Sequence, residues 1–400
     1  MLRNKLGYLL FLIITGLYAI LYNVYFTGII FLVAVFLPLV LMVLLIITYT
    51  KVTVKLDTAT PVAGKGEYLN LSVNLNNASI FPISRLNVFL CYYNDFSGII
   101  QKEKILVSMD RNSTQNVTCQ ISSTYCGNLI FKLNSICIYD YFFLFSLRKK
   151  LNKSLKIAVV PEFYELSDDI IVDNNQVVID SEIYSEYKSG DDPSEVFGIR
   201  EYREGDKPHH IHWKLSYKQD QLMIKEFSEP KNCSIVVLLE LYCGVIGKKK
   251  LEYVDGLLEC AMSLSYSCIL KEHFHNMIWY EGTDCTQYQI AEQQDTYGAM
   301  EALLQTKLSP IYNSIISAHN TKYSKERYTH MIYITSILTE EDIYNWTNTR
   351  NGTLFYLVYV NHLEVKPVKE VYKRLLQDMQ VVLYEVDLKC VKESILAIGL

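Results

Sequence analysis

The sequence predicts a two-helix membrane hairpin, then an all-β sandwich, then an α/β doubly wound domain. Three observations carry this. Residues 6–50 contain no Asp, Glu, Lys or Arg. Residues 51–150 alternate apolar and polar side chains in short runs separated by Asn, Ser, Gly and Pro. After residue 230, buried-type strand runs alternate with segments of helical apolar spacing. With 400 residues, half of them hydrophobic, the chain has ample material for more than one core.

The uncharged run would reach nearly 70 Å as one helix, against a hydrocarbon core of about 30 Å, so two spans must be packed into it. Asn23, Thr27 and Gly28 mark the turn, giving spans over 6–22 and 27–48 within an anchor of residues 1–50. The run is too long for a signal-peptide core and lacks a small-residue cleavage site. Pro38 is tolerable inside a membrane helix. Arg3 and Lys5 precede the first span and Lys51 and Lys55 follow the second, while the turn carries no positive charge. By the positive-inside rule both termini face the cytoplasm, in a multi-pass cell-membrane protein. Ten cysteines are scattered without a CxxC pair, which fits reduced thiols in that compartment.

Residues 68–75 alternate as a half-buried strand should, and 86–93, 104–108, 116–122 and 129–138 read likewise. That spacing predicts a sandwich over 51–150. Residues 151–197 read as a connector, with a short strand at 157–161 and an acidic stretch at 168–192. Beyond it, strands are expected at 234–239, 276–280, 330–335, 353–360 and 381–386. Helices are expected at 251–271, 299–306, 339–347 and 368–379. Strands alternating with helices argue for a doubly wound sheet within residues 198–400. A net charge of −5 gives no reason to expect a nucleic-acid partner.

Residues 198–227 stand apart. Half of the first twenty are charged or histidine, clustered around Trp213, one of three tryptophans in the protein. Three readings are open to this segment. His209, His210 and His212 offer imidazoles to a metal, but adjacent histidines point apart and a strand would put only His210 and His212 on one face. A hydrolase would use His212 as base and Asp206 as orienter, yet no Gly-x-Ser-x-Gly elbow is present. The remaining reading has no chemistry. Arg200, Arg203 and Asp206 form a partly buried network with Trp213 as a plug, or the same face docks a protein, since Arg and Trp concentrate interface energy.

The residues Gly198, Arg200, Tyr202, Gly205, Asp206, Ile211, His212, Trp213 and Lys214, with Leu222 and Lys225, resemble the signature of the domain-of-unknown-function family fifty-eight. A second echo lies at Cys126-Gly127 and at 138–145 around Asp140. The resemblance implies a bacterial inner-membrane hairpin, a β-sandwich and a von Willebrand factor A-like domain. It implies a MoxR-type AAA+ ATPase as partner, in assembly or activation of envelope proteins. Two places depart from the family pattern: His209 stands where an Arg is usual, and the Asp140 turn lacks its Pro and Gly. The metal-adhesion loop is degenerate, reading Glu240-Leu-Tyr242-Cys-Gly244, with Ser336 where a later Asp is usual. Mg²⁺ wants near-octahedral oxygen ligands, so no metal or other cofactor is expected. The expected function is a membrane-anchored interaction scaffold without catalysis, its alternative a membrane-bound hydrolase-like enzyme acting on envelope precursors. Expected binding or interdomain residues are Gly198, Arg200, Tyr202, Gly205, Asp206, His212, Trp213, Lys214 and Lys225.

Overall fold

The computed structural model describes residues 2–22, 25–166, 184–190, 196–203, 211–219, 221–230, 235–282, 284–323, 326, 328–348 and 353–398. Two compact units emerge: Met1–Pro161 with Ile246–Leu251, and Glu162–Val245 with Glu252–Leu400.

The first unit begins with α1 (Leu2–Tyr22) and α2 (Tyr25–Lys51), each long and apolar enough to cross a membrane. Both run past the expected spans, because the flanking polar residues Arg3, Asn4 and Lys5 and the segment 49–51 continue the helices. The pair is held by Tyr8 Oη donating to Ala34 O at 2.7 Å. Close approach is possible at Gly16, where a Cβ would lie 3.1 Å from the Phe31 ring. Buried positions on α2 are Thr27, Ala34, Leu41, Leu45 and Thr48, a stripe at helical spacing.

Lys51 ends α2 and Val52 begins β1 (Val52–Thr58) without a linker. There follow β2 (Val62–Gly64), β3 (Tyr68–Asn77), β4 (Ile83–Asn94), β5 (Gln101–Met109), β6 (Ser113–Ser122), β7 (Gly127–Tyr139) and β8 (Ser146–Val160). They form two sheets, β1-β3-β6 and β2-β8-β7-β4-β5. Leu69, Leu71, Val73 and Leu75 of β3 point inward and alternate with outward residues, as the period of two demands. Leu45 of α2 joins the sandwich core with Val52, Val54 and Ile138. The sandwich ends at 160 rather than 150: β8 is long and basic, and two of its lysines reach the other sheet. Lys149 and Lys153 Nζ donate to the carbonyls of Val52 at 3.0 Å and Val54 at 2.8 Å, joining β8 to β1 in the other sheet.

The second unit opens with β9 (Tyr184–Gly190), β10 (Val196–Glu201), α3 (Trp213–Gln219) and β11 (Met223–Pro230), its strands forming an antiparallel sheet in the order β10-β11-β9. Strands thus occupy part of the expected connector. The larger part runs β12 (Ile235–Leu239), α4 (Lys248–Leu270), β13 (His275–Glu281), β14 (Asp284–Ile290), α5 (Gln293–Gln305), α6 (Ile315–Lys322), β15 (His330–Thr335) and α7 (Glu340–Asn348). It ends with β16 (Leu354–Asn361), α8 (Glu370–Asp378), β17 (Val382–Asp387) and α9 (Val391–Leu396).

Its sheet is mixed, in the order β14-β13-β12-β15-β16-β17. All neighbours are parallel except β14, which runs antiparallel along β13 at the edge. No strand was expected at β14. Val236, Leu238 and Tyr333 face one core with Ile315 of α6, Trp346 of α7 and Leu376 of α8. Helix α4 is buried from Tyr253 to Ser265, and at Gly256 a Cβ would lie 2.5 Å from Leu388 and 3.2 Å from Val360. Among the described residues the cysteines are free thiols, with Cys390 exposed, Cys119 half-buried and the rest buried.

Gly127 starts β7 at φ +126°, where a Cβ would come within 2.6 Å of the Asn94 amide. That amide accepts from Phe96 N at 3.0 Å and donates to Cys126 O at 2.9 Å, so it cannot move away. Gly127→Ala is expected to cost about 2 kcal/mol, from strain plus the loss of one of these bonds. Denaturant unfolding of the purified chain measures this, and an unchanged midpoint would contradict it.

Candidate functional site

Among the described residues of the signature segment, backbone pairing with β11 positions each side chain. Gly198 of β10 sits opposite Glu226 beside a register shift, Ile199 opposite Lys225, and Arg200 opposite Ile224. Arg200 Nη1 donates to Glu201 O at 3.0 Å. Tyr202 N donates to Leu222 O at 2.8 Å, extending the pairing beyond the strand end. Gly205, Asp206, His209 and His210 lie outside the described residues, so the expected network through Asp206 does too.

His212 has a structural place. Its N–H donates to Met223 O at 2.8 Å, and its Nδ1 accepts from Leu215 N at 3.2 Å, capping α3. Ser216 fastens the helix to β11 by accepting from Met223 N at 2.9 Å. Trp213, expected as a buried plug, is 67% exposed, and Tyr217, one turn later, is 91% exposed. Lys214 and Lys218 flank them, also exposed. Sequence reasoning passed over Tyr217, although its i, i+4 spacing from Trp213 was legible.

A second cluster gathers at the carboxyl ends of β12 and β15. Glu240 follows β12, is 3% exposed, and accepts from Tyr242 N at 2.9 Å through Oε1. Among the described residues, the nearby Ser336 Oγ has no hydrogen-bond partner. Gly244 closes the loop at φ +64°, a left-handed conformation that suits glycine. Asp342 of α7 is fully buried. It accepts from Ser314 Oγ at 2.6 Å, Thr339 Oγ1 at 2.7 Å, Thr339 N at 3.0 Å, and the Tyr312 hydroxyl. Sequence reasoning missed Asp342, Ser314 and Tyr312. One local signal existed: Thr339 and Asp342 form a Thr-x-x-Asp capping box at the start of α7.

The two carboxylates are treated differently. Asp342 has donors on both oxygens. Burial pushes Glu240 up to about 8; the Tyr242 N–H opposes this, the Asp342 charge adds to it, and the Ile315 N–H opposes it. Glu240 is therefore mainly protonated and neutral at pH 7. Among the described residues, no group of three or more His, Cys, Asp or Glu side chains is arranged to hold a metal ion.

No family model matches the chain. No curated protein matches it either. Solved structures give short likenesses. The CARDB domain of a Pyrococcus furiosus protein in complex with di-metal ions is 16% identical over 28% of this chain and 94% of its own, with a TM-score of 0.21. A Pseudomonas fluorescens alkylpurine DNA glycosylase bound to DNA is 18% identical over 27% of this chain and 30% of its own, with a TM-score of 0.21. A Listeria innocua β-glucosidase is 13% identical over 27% and 16%, with a TM-score of 0.20. The chain thus spans less than a third of the length of each of these two enzymes. At these scores the likenesses assign neither fold nor function.

The sign of the Glu240 effect is fixed by its direction. Its folded value of about 8 lies above the ordinary carboxylate value of about 4.3, so its contribution is whole below that value and falls as pH rises to about 8. Within that window each pH unit removes up to about 1.4 kcal/mol. Glu240→Gln, which keeps the shape and cannot ionise, should flatten this slope in denaturant titrations; an unchanged slope would show Glu240 ionised in the fold. Asp342→Ala should cost about 3 kcal/mol, since it strips several buried donors of their acceptor.

Proposed function

We propose that this chain is a membrane-anchored, cytosol-facing interaction scaffold whose second unit binds a MoxR-type AAA+ ATPase during assembly or activation of envelope proteins at the bacterial inner membrane. The observation that carries the reading is the pair Trp213 and Tyr217, exposed together on α3 within the signature segment. Large aromatics are costly to leave in water and dominate interface energy, so a solvent-facing pair flanked by lysines suits a protein partner.

Other features support parts of this reading. The two apolar helices with their flanking positive charges support a multi-pass anchor with both soluble units in the cytoplasm. The strand order, with β12 at the centre and one antiparallel edge strand, supports a von Willebrand factor A-like second unit. In that frame the Glu240, Tyr242 and Gly244 loop is a degenerate metal-adhesion loop. Asp342, held by hydroxyls and an N–H, needs no cation to be stable there. The scaffold acts by position: the hairpin sets location and α3 presents the contact.

Co-purification from membranes in mild detergent with ATP tests the proposal. The wild type should retain a MoxR-type ATPase. Trp213→Ala and Tyr217→Ala should each reduce capture by roughly tenfold or more, the effect of losing an interface anchor of about 2 kcal/mol. Both side chains are exposed, so unfolding midpoints should stay unchanged. Absence of any ATPase from the wild-type eluate would overturn the reading.

A further inference from the structure

We infer that the sandwich end next to α2 is itself seated in the bilayer surface, with the 139–145 turn and the 78–82 loop wedged among lipids. The inference rests on reading α1 and α2 as membrane spans, and everything it uses lies in the first unit.

The argument starts from depth. Asn4 Nδ2, in the first turn of α1, donates to Phe142 O at 3.1 Å. Leu41 and Leu45 of α2 line a crevice with Phe81, Pro82, Tyr139 and Tyr141. Leu41 lies ten residues before Lys51 at the end of α2, about 15 Å along the axis. The turn therefore reaches well down the helix pair. Between those points α2 exposes Met42, Val43, Ile46 and Ile47, at 38% to 55%. These side chains would face water unless acyl chains reach at least to Ile47. A bilayer that covers them also meets the turn beside them.

The turn is built for that setting. Phe142 is 51% exposed, Tyr141 40%, and Ile80 of the neighbouring loop 65%. Tyr141 Oη donates to Pro82 O at 2.6 Å and ties the two loops together. Backbone polar groups that enter lipid need internal partners. Here Asp140, 4% exposed, accepts from Phe145 N at 2.7 Å and from Phe142 N at 3.3 Å. Phe143 N donates to Asp140 O at 3.2 Å, and Asp140 N to Phe145 O at 3.3 Å. The N–H groups of Phe142, Phe143 and Phe145 are thus satisfied within the turn, while the Tyr141 and Phe142 rings are exposed and Phe145 packs on the sandwich core. Phe143 takes φ +57° to make this possible.

A basic rim completes the match. The Arg85 guanidinium lies over the Tyr139 and Phe143 rings at 5.3 and 5.5 Å. Lys149 lies over Tyr49 at 5.6 Å, and Arg3 and Lys5 begin α1. Cations beside half-buried aromatics are the groups that anionic headgroups attract at an interface.

Depth-dependent quenching of the full chain in nanodiscs containing anionic lipid tests this. In a Cys390→Ser background, single cysteines replace Phe142, Ile80, Ile100 at the far end of the sandwich, or Phe36 within α2, and carry an environment-sensitive fluorophore. The identically treated parent supplies the background. Labels at 142 and 80 should lose most of their emission to lipids bearing a nitroxide high on the acyl chain and resist aqueous iodide. The label at 100 should behave oppositely. Iodide access at 142 and 80, with the label at 36 still quenched by lipid, would overturn the wedge and leave the spanning helices intact. Iodide access at 36 as well would overturn the spanning helices, and the wedge with them.

Discussion

No residue separates the second apolar helix from the sandwich: α2 ends at Lys51 and β1 begins at Val52. That continuity governs the first unit. Leu45 sits in the sandwich core although it belongs to a helix whose outer face is apolar throughout. A flexible linker would let the sandwich sample many heights and tilts; here the helix is part of the core, and a change of tilt would open it. Lys149 and Lys153 reinforce the joint, because their amines hold the carbonyls of the first two inward-facing β1 residues. The Asp140 turn and its bond from Asn4 then follow as contacts that a rigid mount can keep and a tether could not.

The second unit meets a different demand, that of burying acids at the ends of parallel strands. Asp342 is stabilised by local donors, whereas Glu240 takes a proton instead of a full set of donors. The first solution depends on Ser314, Tyr312 and Thr339 being delivered from two loops. The second needs only burial. Helix α3 meets a different demand, carrying two large aromatics at the surface.

The parts legible in the sequence were those with a strong single period. Uncharged runs betrayed both apolar helices, and β3 and β12 were visible as alternating and continuous apolar runs. What escaped notice had mixed chemistry. Strand β8 carries Arg148, Lys149, Lys150 and Lys153, whose charge masks its inward Leu and Ile, so the sandwich was cut short. Edge strand β14, reading Asp-Cys-Thr-Gln-Tyr-Gln-Ile, needs little burial and shows little pattern. Asp342 lies 28 residues from Ser314 and 30 from Tyr312, so only the folded sheet brings them together. Charge density around Trp213 suggested burial, but on α3 the indole is exposed.

The cysteines give the fold a chemical consequence of its own. Oxidants and alkylating agents attack the thiolate, and attack requires access. Cys260 and Cys268 are denied both: they lie inside α4, and burial pushes their thiols upward, Cys268 to about 12. Cys390 stands at the surface. Oxidative damage to the α4 thiols therefore has to wait for local opening, whereas Cys390 meets reagents in the folded chain, so the two kinds of thiol record different events.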